Sequence, residues 1–182
     1  SGRGVKMKPF FKQIVFILFI SALFAWAQSD ILVEAFDEQW NNPSQITLRL
    51  RLTNSSQDTL TNVRRRYFLG HDENRILELS PYYLTNANVS LDTIDNYLAV
   101  NIDIPQVTPG IFPNSSGISL GLRYHDNNVF HKNGNFSYPG TVSFEPTSNI
   151  PVYVDNMYMA GNTPVGDEIP KVHFYGIQPE AF

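Results

Sequence analysis

The strongest constraint in this sequence is a period of two. From Ile46 the apolar residues Ile46, Leu48, Leu50 and Leu52 alternate with Thr47, Arg49, Arg51 and Thr53, which places them on opposite faces of an extended chain. The pattern returns at Leu98, Val100, Ile102 and Ile104, and again at Ile118, Leu120 and Leu122. Residues 31–36, 63–69, 76–79, 141–144 and 152–158 are further candidate strands, and no segment after residue 27 carries a helical stripe. Asn42-Pro43, Asn54-Ser55-Ser56, Pro109-Gly110, Asn133-Gly134 and Ala160-Gly161-Asn162 supply turn chemistry between them. About nine short strands broken in this way predict an all-β fold, an antiparallel, jelly-roll-like β-sandwich with one face of each sheet buried and the other wet.

The first residues obey a different rule. Lys8 and Lys12 precede an apolar run from Ile14 to Phe24, and Ala25-Trp26-Ala27 offers a small-residue cleavage site before Gln28. The run is shorter than the roughly 20 residues of a spanning helix. Residues 1–27 therefore read as a secretory signal peptide, residues 28–170 as the sandwich, and residues 171–182 as a tail or the start of a truncated region. The expected location is secreted or on a bacterial cell surface, with no membrane span after signal cleavage. Charge now matters: removing Arg3, Lys6, Lys8 and Lys12 from the 13 basic residues leaves nine against 17 acids, a net charge of −8. Such a surface argues against nucleic acid, which rewards Lys and Arg. The absence of cysteine excludes disulfides, thiolate metal sites and cysteine nucleophiles.

Catalytic motifs do not survive inspection. Gly117-Ile118-Ser119-Leu120-Gly121 has the letters of a nucleophile elbow, which requires a sharp strand-to-helix turn. Ser119 instead lies inside an alternating strand. His125 and His131, six apart in a loop, lack the spacing and the third ligand of a zinc site. In Arg64-Arg65-Arg66 the alternation sends Arg65 to the face opposite its neighbours, predicting a solubilising face plus one buried ion pair. The expectation is a protein that is not an enzyme.

In order, the segments Ile31-Leu32-Val33-Glu34, Ile46 to Asn54, Leu60, Val63, Arg66-Tyr67-Phe68 and Leu98 to Ile102 with Val107-Thr108-Pro109-Gly110 resemble the family 3 carbohydrate-binding modules. The resemblance continues through Gly121-Leu122-Arg123-Tyr124, Asn135-Phe136-Ser137-Tyr138 and the stretch from Val154 to Pro170. It implies a noncatalytic module whose partner is cellulose or another plant cell-wall glucan, held on a flat strip of aromatic and polar residues, with room for a linked catalytic domain. Arg123 falls on the strip's arginine. The family's tryptophan six residues further on is replaced by Val129, with Phe130 next, and its Asp-His pair is replaced by the segment Glu78-Leu79-Ser80-Pro81-Tyr82-Tyr83. The resemblance also implies a structural calcium, with Asp72 and Asn135 as candidate ligands.

Sugar rings expose apolar C–H faces rimmed with hydroxyls, so a binder needs flat rings beside hydrogen-bonding groups, and tyrosine supplies both. Tyr82, Tyr83, Arg123, Tyr124 and Phe130 are the expected carbohydrate-contact residues. Trp40, in the loop after the first strand, reads as a cover over the core. Two other classes of function remain open: an adhesive or structural sandwich that has lost glycan binding, and an accessory domain of a glycoside hydrolase.

Overall fold

The computed structural model describes residues 30–70, 72, 74–114 and 116–164, so the expectations for residues 1–27, 165–170 and 171–182 lie outside the described residues. The elements are β1 (Ile31–Asp37), β2 (Gln45–Asn54), β3 (Leu60–Gly70), β4 (Leu77–Tyr83), β5 (Asn88–Ile94), β6 (Tyr97–Val107), β7 (Gly110–Phe112), β8 (Ile118–Tyr124), β9 (Glu145–Pro146), β10 (Val152–Val154) and β11 (Met157–Ala160). The first sheet runs β4-β8-β2-β1-β9, with β7 pairing the far end of β2, and the second runs β11-β10-β3-β6-β5. Every pairing is antiparallel. This is the predicted β-sandwich. Among the described residues no helix is long and apolar enough to cross a membrane.

The period of two dictates the interior. Ile46, Leu48, Leu50 and Leu52 of β2 and Ile118, Leu120 and Leu122 of β8 are fully buried, and they meet Val100, Ile102 and Ile104 of β6 and Tyr67 and Leu69 of β3 in one apolar cluster. Where the strand pattern departs from expectation, local chemistry explains it. The segment read as one strand over 152–158 is a hairpin, because Asp155 and Asn156 both take positive φ and turn the chain between β10 and β11. Residues 141–144 form no strand; the short β9 follows them along the edge of β1. The unpredicted β5 is an edge strand with most of its residues exposed, so no buried face marks it in the sequence.

Arg65 is the largest polar side chain fully buried in the sandwich. It points inward as predicted and is completely buried, but Nε, Nη1 and Nη2 find no hydrogen-bond partner among the described residues. The expected buried ion pair is not made there: the fully buried carboxylate, Asp37, pairs instead with Lys132 at 2.6 Å. Burial disfavours the charged guanidinium and pulls its pKa down to about 10. An apolar side chain of similar length removes that desolvation cost. We expect Arg65→Met to raise the urea unfolding midpoint, by about 1 to 4 kcal/mol of stability; a lowered midpoint would show that the guanidinium has a stabilising partner.

Candidate functional site

The outer face of the first sheet collects the residues that alternate with the core. Gln45, Thr47, Arg49 and Arg51 of β2 stand in register with Arg123, Gly121 and Ser119 of β8 on one side and Glu34 and Phe36 of β1 on the other. β8 in turn places Arg123 opposite Glu78 and Ser119 opposite Tyr83 of β4. Residues opposite one another share a face, so these side chains form a single surface.

Tyr82 and Tyr83 are adjacent in sequence and would ordinarily point to opposite faces. A register shift between Pro81 and Tyr83 breaks the alternation. A Cβ added to Gly121 would meet Tyr82 Oη, Cε2 and Cζ at 2.7 to 2.9 Å, so the ring lies across β8 where only glycine leaves room. Tyr82 Oη accepts a 3.0 Å hydrogen bond from Gln45 Nε2, which ties the ring to the middle of the sheet. Both tyrosines remain open to solvent, at 58% and 44% exposure.

Arg123 lies on the same face. Its Nε donates to Glu78 Oε2 at 2.8 Å, and Glu78 Oε1 meets His125 Nδ1 at 2.6 Å. Arg49 clamps Glu38 through two hydrogen bonds of 2.9 and 3.1 Å, and Arg51 clamps Glu34 at 2.6 and 2.7 Å. Arg51 also sits 4.3 Å over the ring of Phe144, which packs edge-on against Phe36. The face is thus a set of guanidinium–carboxylate pairs bordered by rings.

Two of the expected contact residues do not join it. Tyr124 and Phe130 are 5% and 3% exposed and stack on each other with centroids 4.6 Å apart. Arg75 lies 3.6 Å over the Tyr124 ring and is itself held by Asp126, whose carboxyl that contact pulls down to about 2. Tyr124 therefore has Phe130 on one face and a guanidinium on the other, and neither ring is free to meet a ligand. The cause is β8 itself: Tyr124 continues the inward series of Ile118, Leu120 and Leu122, while Arg123 points out. Trp40 corrects the expectation in the other direction, being 60% exposed rather than a cover over the core. Ser119 is inside β8 and 2% exposed, and no turn into a helix follows it.

The structure does not gather the calcium ligands that the resemblance implies among the described residues. Calcium takes six to eight oxygens. Asn135 Oδ1 accepts from Gly70 N–H at 2.9 Å and Asp72 Oδ1 from Asn74 N–H at 3.1 Å. No three His, Asp or Glu residues among the described ones gather around a metal position. Hydrogen bonds join the segment of Asn135 to its neighbours, with Ser137 Oγ accepting from Phe68 N–H and donating to Asn149 O.

The other sheet offers a different surface. A cleft of about 360 Å³ on β3 and β6 is lined by Asn62, Asn88, Asn156 and the Arg64–Asp103 ion pair, with no aromatic ring.

The family model described as cellulose binding domain matches residues 32–161. The fold is similar to the carbohydrate-binding module of cellobiohydrolase 9A from Clostridium thermocellum, at 18% identity and a TM-score of 0.62, covering 74% of this chain and 98% of that one. It is similar to a module with flanking linkers from scaffoldin cipA of the same organism's cellulosome, at 14% identity and TM-score 0.65, covering 79% and 96%. A scaffoldin family 3b module of Bacteroides cellulosolvens matches at 19% identity and TM-score 0.61, covering 75% and 98%. At these identities the likeness is one of fold. No curated protein is a significant match.

Glu78 gives a direct check on the geometry. Its carboxyl is held below the usual 4.5, first by the His125 hydrogen bond and then by Arg123. A depressed carboxylate keeps its partners above the ordinary value and loses them as pH falls through the lowered one. Carboxyl-carbon NMR is expected to place the Glu78 midpoint below 4.5 and to move it upward in His125→Ala; an unchanged midpoint would remove His125 from the cluster.

Proposed function

Because the chain belongs to the cellulose binding domain family, a family of noncatalytic carbohydrate-binding modules, we propose that it is exported and holds cellulose or a related β-glucan on the outer face of its first sheet. The observation that carries this reading is the convergence of Tyr82, Tyr83 and Arg123 on one exposed face, with the Tyr82 ring spread over Gly121. A tyrosine ring covers the C–H face of a sugar, and a guanidinium already oriented by Glu78 presents its remaining N–H groups to hydroxyls. The module binds and does no chemistry: its part is to keep a polysaccharide at the cell or beside a linked enzyme.

The energetics suit a tethered binder. Covering one ring with one sugar removes on the order of 60 Å² of apolar surface, about 1.5 kcal/mol. Arg123 adds hydrogen bonds of about 1 kcal/mol each. Such a site gains affinity when several modules or a linked enzyme act together. A bound calcium would stabilise the folded module, and a melting temperature lowered by chelation is the measurement that reads it.

Retention on microcrystalline cellulose, xylan and a soluble β-glucan tests the reading. Tyr82→Ala, Tyr83→Ala and Arg123→Ala are each expected to lower cellulose affinity by roughly tenfold. Gly121→Ala should weaken it as well, since the added methyl displaces the Tyr82 ring. Parent protein that none of the three polysaccharides retains would leave an adhesive sandwich; retention unaffected by all the substitutions would place the contact face elsewhere.

A further inference from the structure

Trp40 is an expensive residue to leave in water. It is 60% exposed in the turn between β1 and β2, and a loose turn could have folded the ring away. This turn is not loose. Asp37, fully buried beneath it, accepts from Gln39 N–H at 3.0 Å and from Thr47 N–H at 2.9 Å through Oδ1. Its Oδ2 accepts from Lys132 Nζ at 2.6 Å and from Tyr138 Oη at 3.2 Å. Lys132 Nζ also donates to Gln39 O at 2.7 Å, so the residue before Trp40 is fixed at both its N–H and its carbonyl. Beyond the ring, Asn42 Nδ2 donates to Gln39 Oε1, Ser44 N–H to Asn42 Oδ1, and Phe130 N–H to Pro43 O at 2.6 Å. A buried ion pair is costly to desolvate. Here it holds still a turn whose largest side chain is in solvent.

The turn's position relates it to the outer face. Glu38 reaches back from the turn to clamp Arg49 on that face. Gln45, just after the turn, stands opposite Arg123 and hydrogen-bonds Tyr82. The row Gln45–Arg123 lies two residues, about 7 Å of strand rise, beyond Thr47–Gly121, over which the Tyr82 ring lies. The turn carrying Trp40 comes next along the same direction, beside the loop that follows β8.

We propose that Trp40 is a sugar-stacking platform that extends the face past Gln45 and Arg123, so that a glucan chain lies along β8 from the two tyrosines toward the β1–β2 turn. This rests on the reading that the face binds glucan. A turn whose backbone is fixed before binding loses little further freedom on contact, which favours its tryptophan as an anchor.

The chain contains two tryptophans, Trp26 and Trp40, so in the full chain with Trp26→Phe every indole signal reports on Trp40. Cellohexaose is expected to shift the emission of that variant saturably. On microcrystalline cellulose, Trp40→Ala should lose about tenfold in affinity with an unchanged melting temperature, and Trp40→Tyr should retain most of it. Undiminished retention of Trp40→Ala, with retention lost in Tyr82→Ala, would overturn the inference while leaving the face intact, as would an emission spectrum that cellohexaose does not move while cellulose still retains the protein. Parent protein that fails to bind any glucan overturns the reading of the face, and this inference with it.

Discussion

One buried carboxylate organises the end of the molecule on which the candidate site depends. Asp37 terminates β1 facing inward, where an unpartnered charge is costly. Four donors converge on it, from Gln39, Thr47, Lys132 and Tyr138. They come from the β1–β2 turn, from β2 and from the segment after β8, so the carboxylate joins three parts of the chain that hydrophobic packing alone would leave to slide. Removing one partner of such a pair typically costs about 3 to 5 kcal/mol, because the other charge is left buried. The Tyr138 hydroxyl shares in this, its pKa pushed up to about 12 by burial and by the neighbouring Asp37 charge.

The exposed charges act differently. Arg49–Glu38 and Arg123–Glu78 are open to water on at least one partner, and pairs of that kind contribute little to stability. Their consequence is geometric. Each carboxylate holds a guanidinium at a set place on the sheet, and a donor already in place needs less ordering when a hydroxyl arrives. The same sheet supplies rings, whereas the cleft on the other sheet supplies amides and an ion pair without any.

Much of this architecture is legible in the sequence because a half-buried strand writes its burial as alternation. Leu48, Leu50 and Leu52 declare an interior, and the interior is where they lie. The same rule, applied to the residues beside Arg123, sends Tyr124 inward; grouping it with Arg123 as a surface ring sets that rule aside. Phe130 follows Tyr124 because the two stack, a contact that alternation does not encode. Arg65 shows a second limit: its inward direction follows from the period, but whether a partner waits there is a matter of the other strands. Trp40 shows a third, since turn residues carry no period and the turn that carries it is held by Asp37 and Lys132, which are 95 positions apart in the chain.

The pair Tyr82 and Tyr83 depends on where β4 lies. It is the edge strand of its sheet, and Pro81, which has no N–H to give, is tolerated there as it would not be in the middle. The irregularity that follows gives the edge a break that discourages pairing with another chain. It also turns two consecutive rings toward one side. A regular strand would have spent one of them on the interior face. Opposite them, Gly121 gives up its own side chain so that the Tyr82 ring can lie on the backbone of β8. The exposed aromatic surface is thus produced by departures from regular strand geometry on one edge, supported by the regular, fully buried alternation of β2 and β8 beneath it.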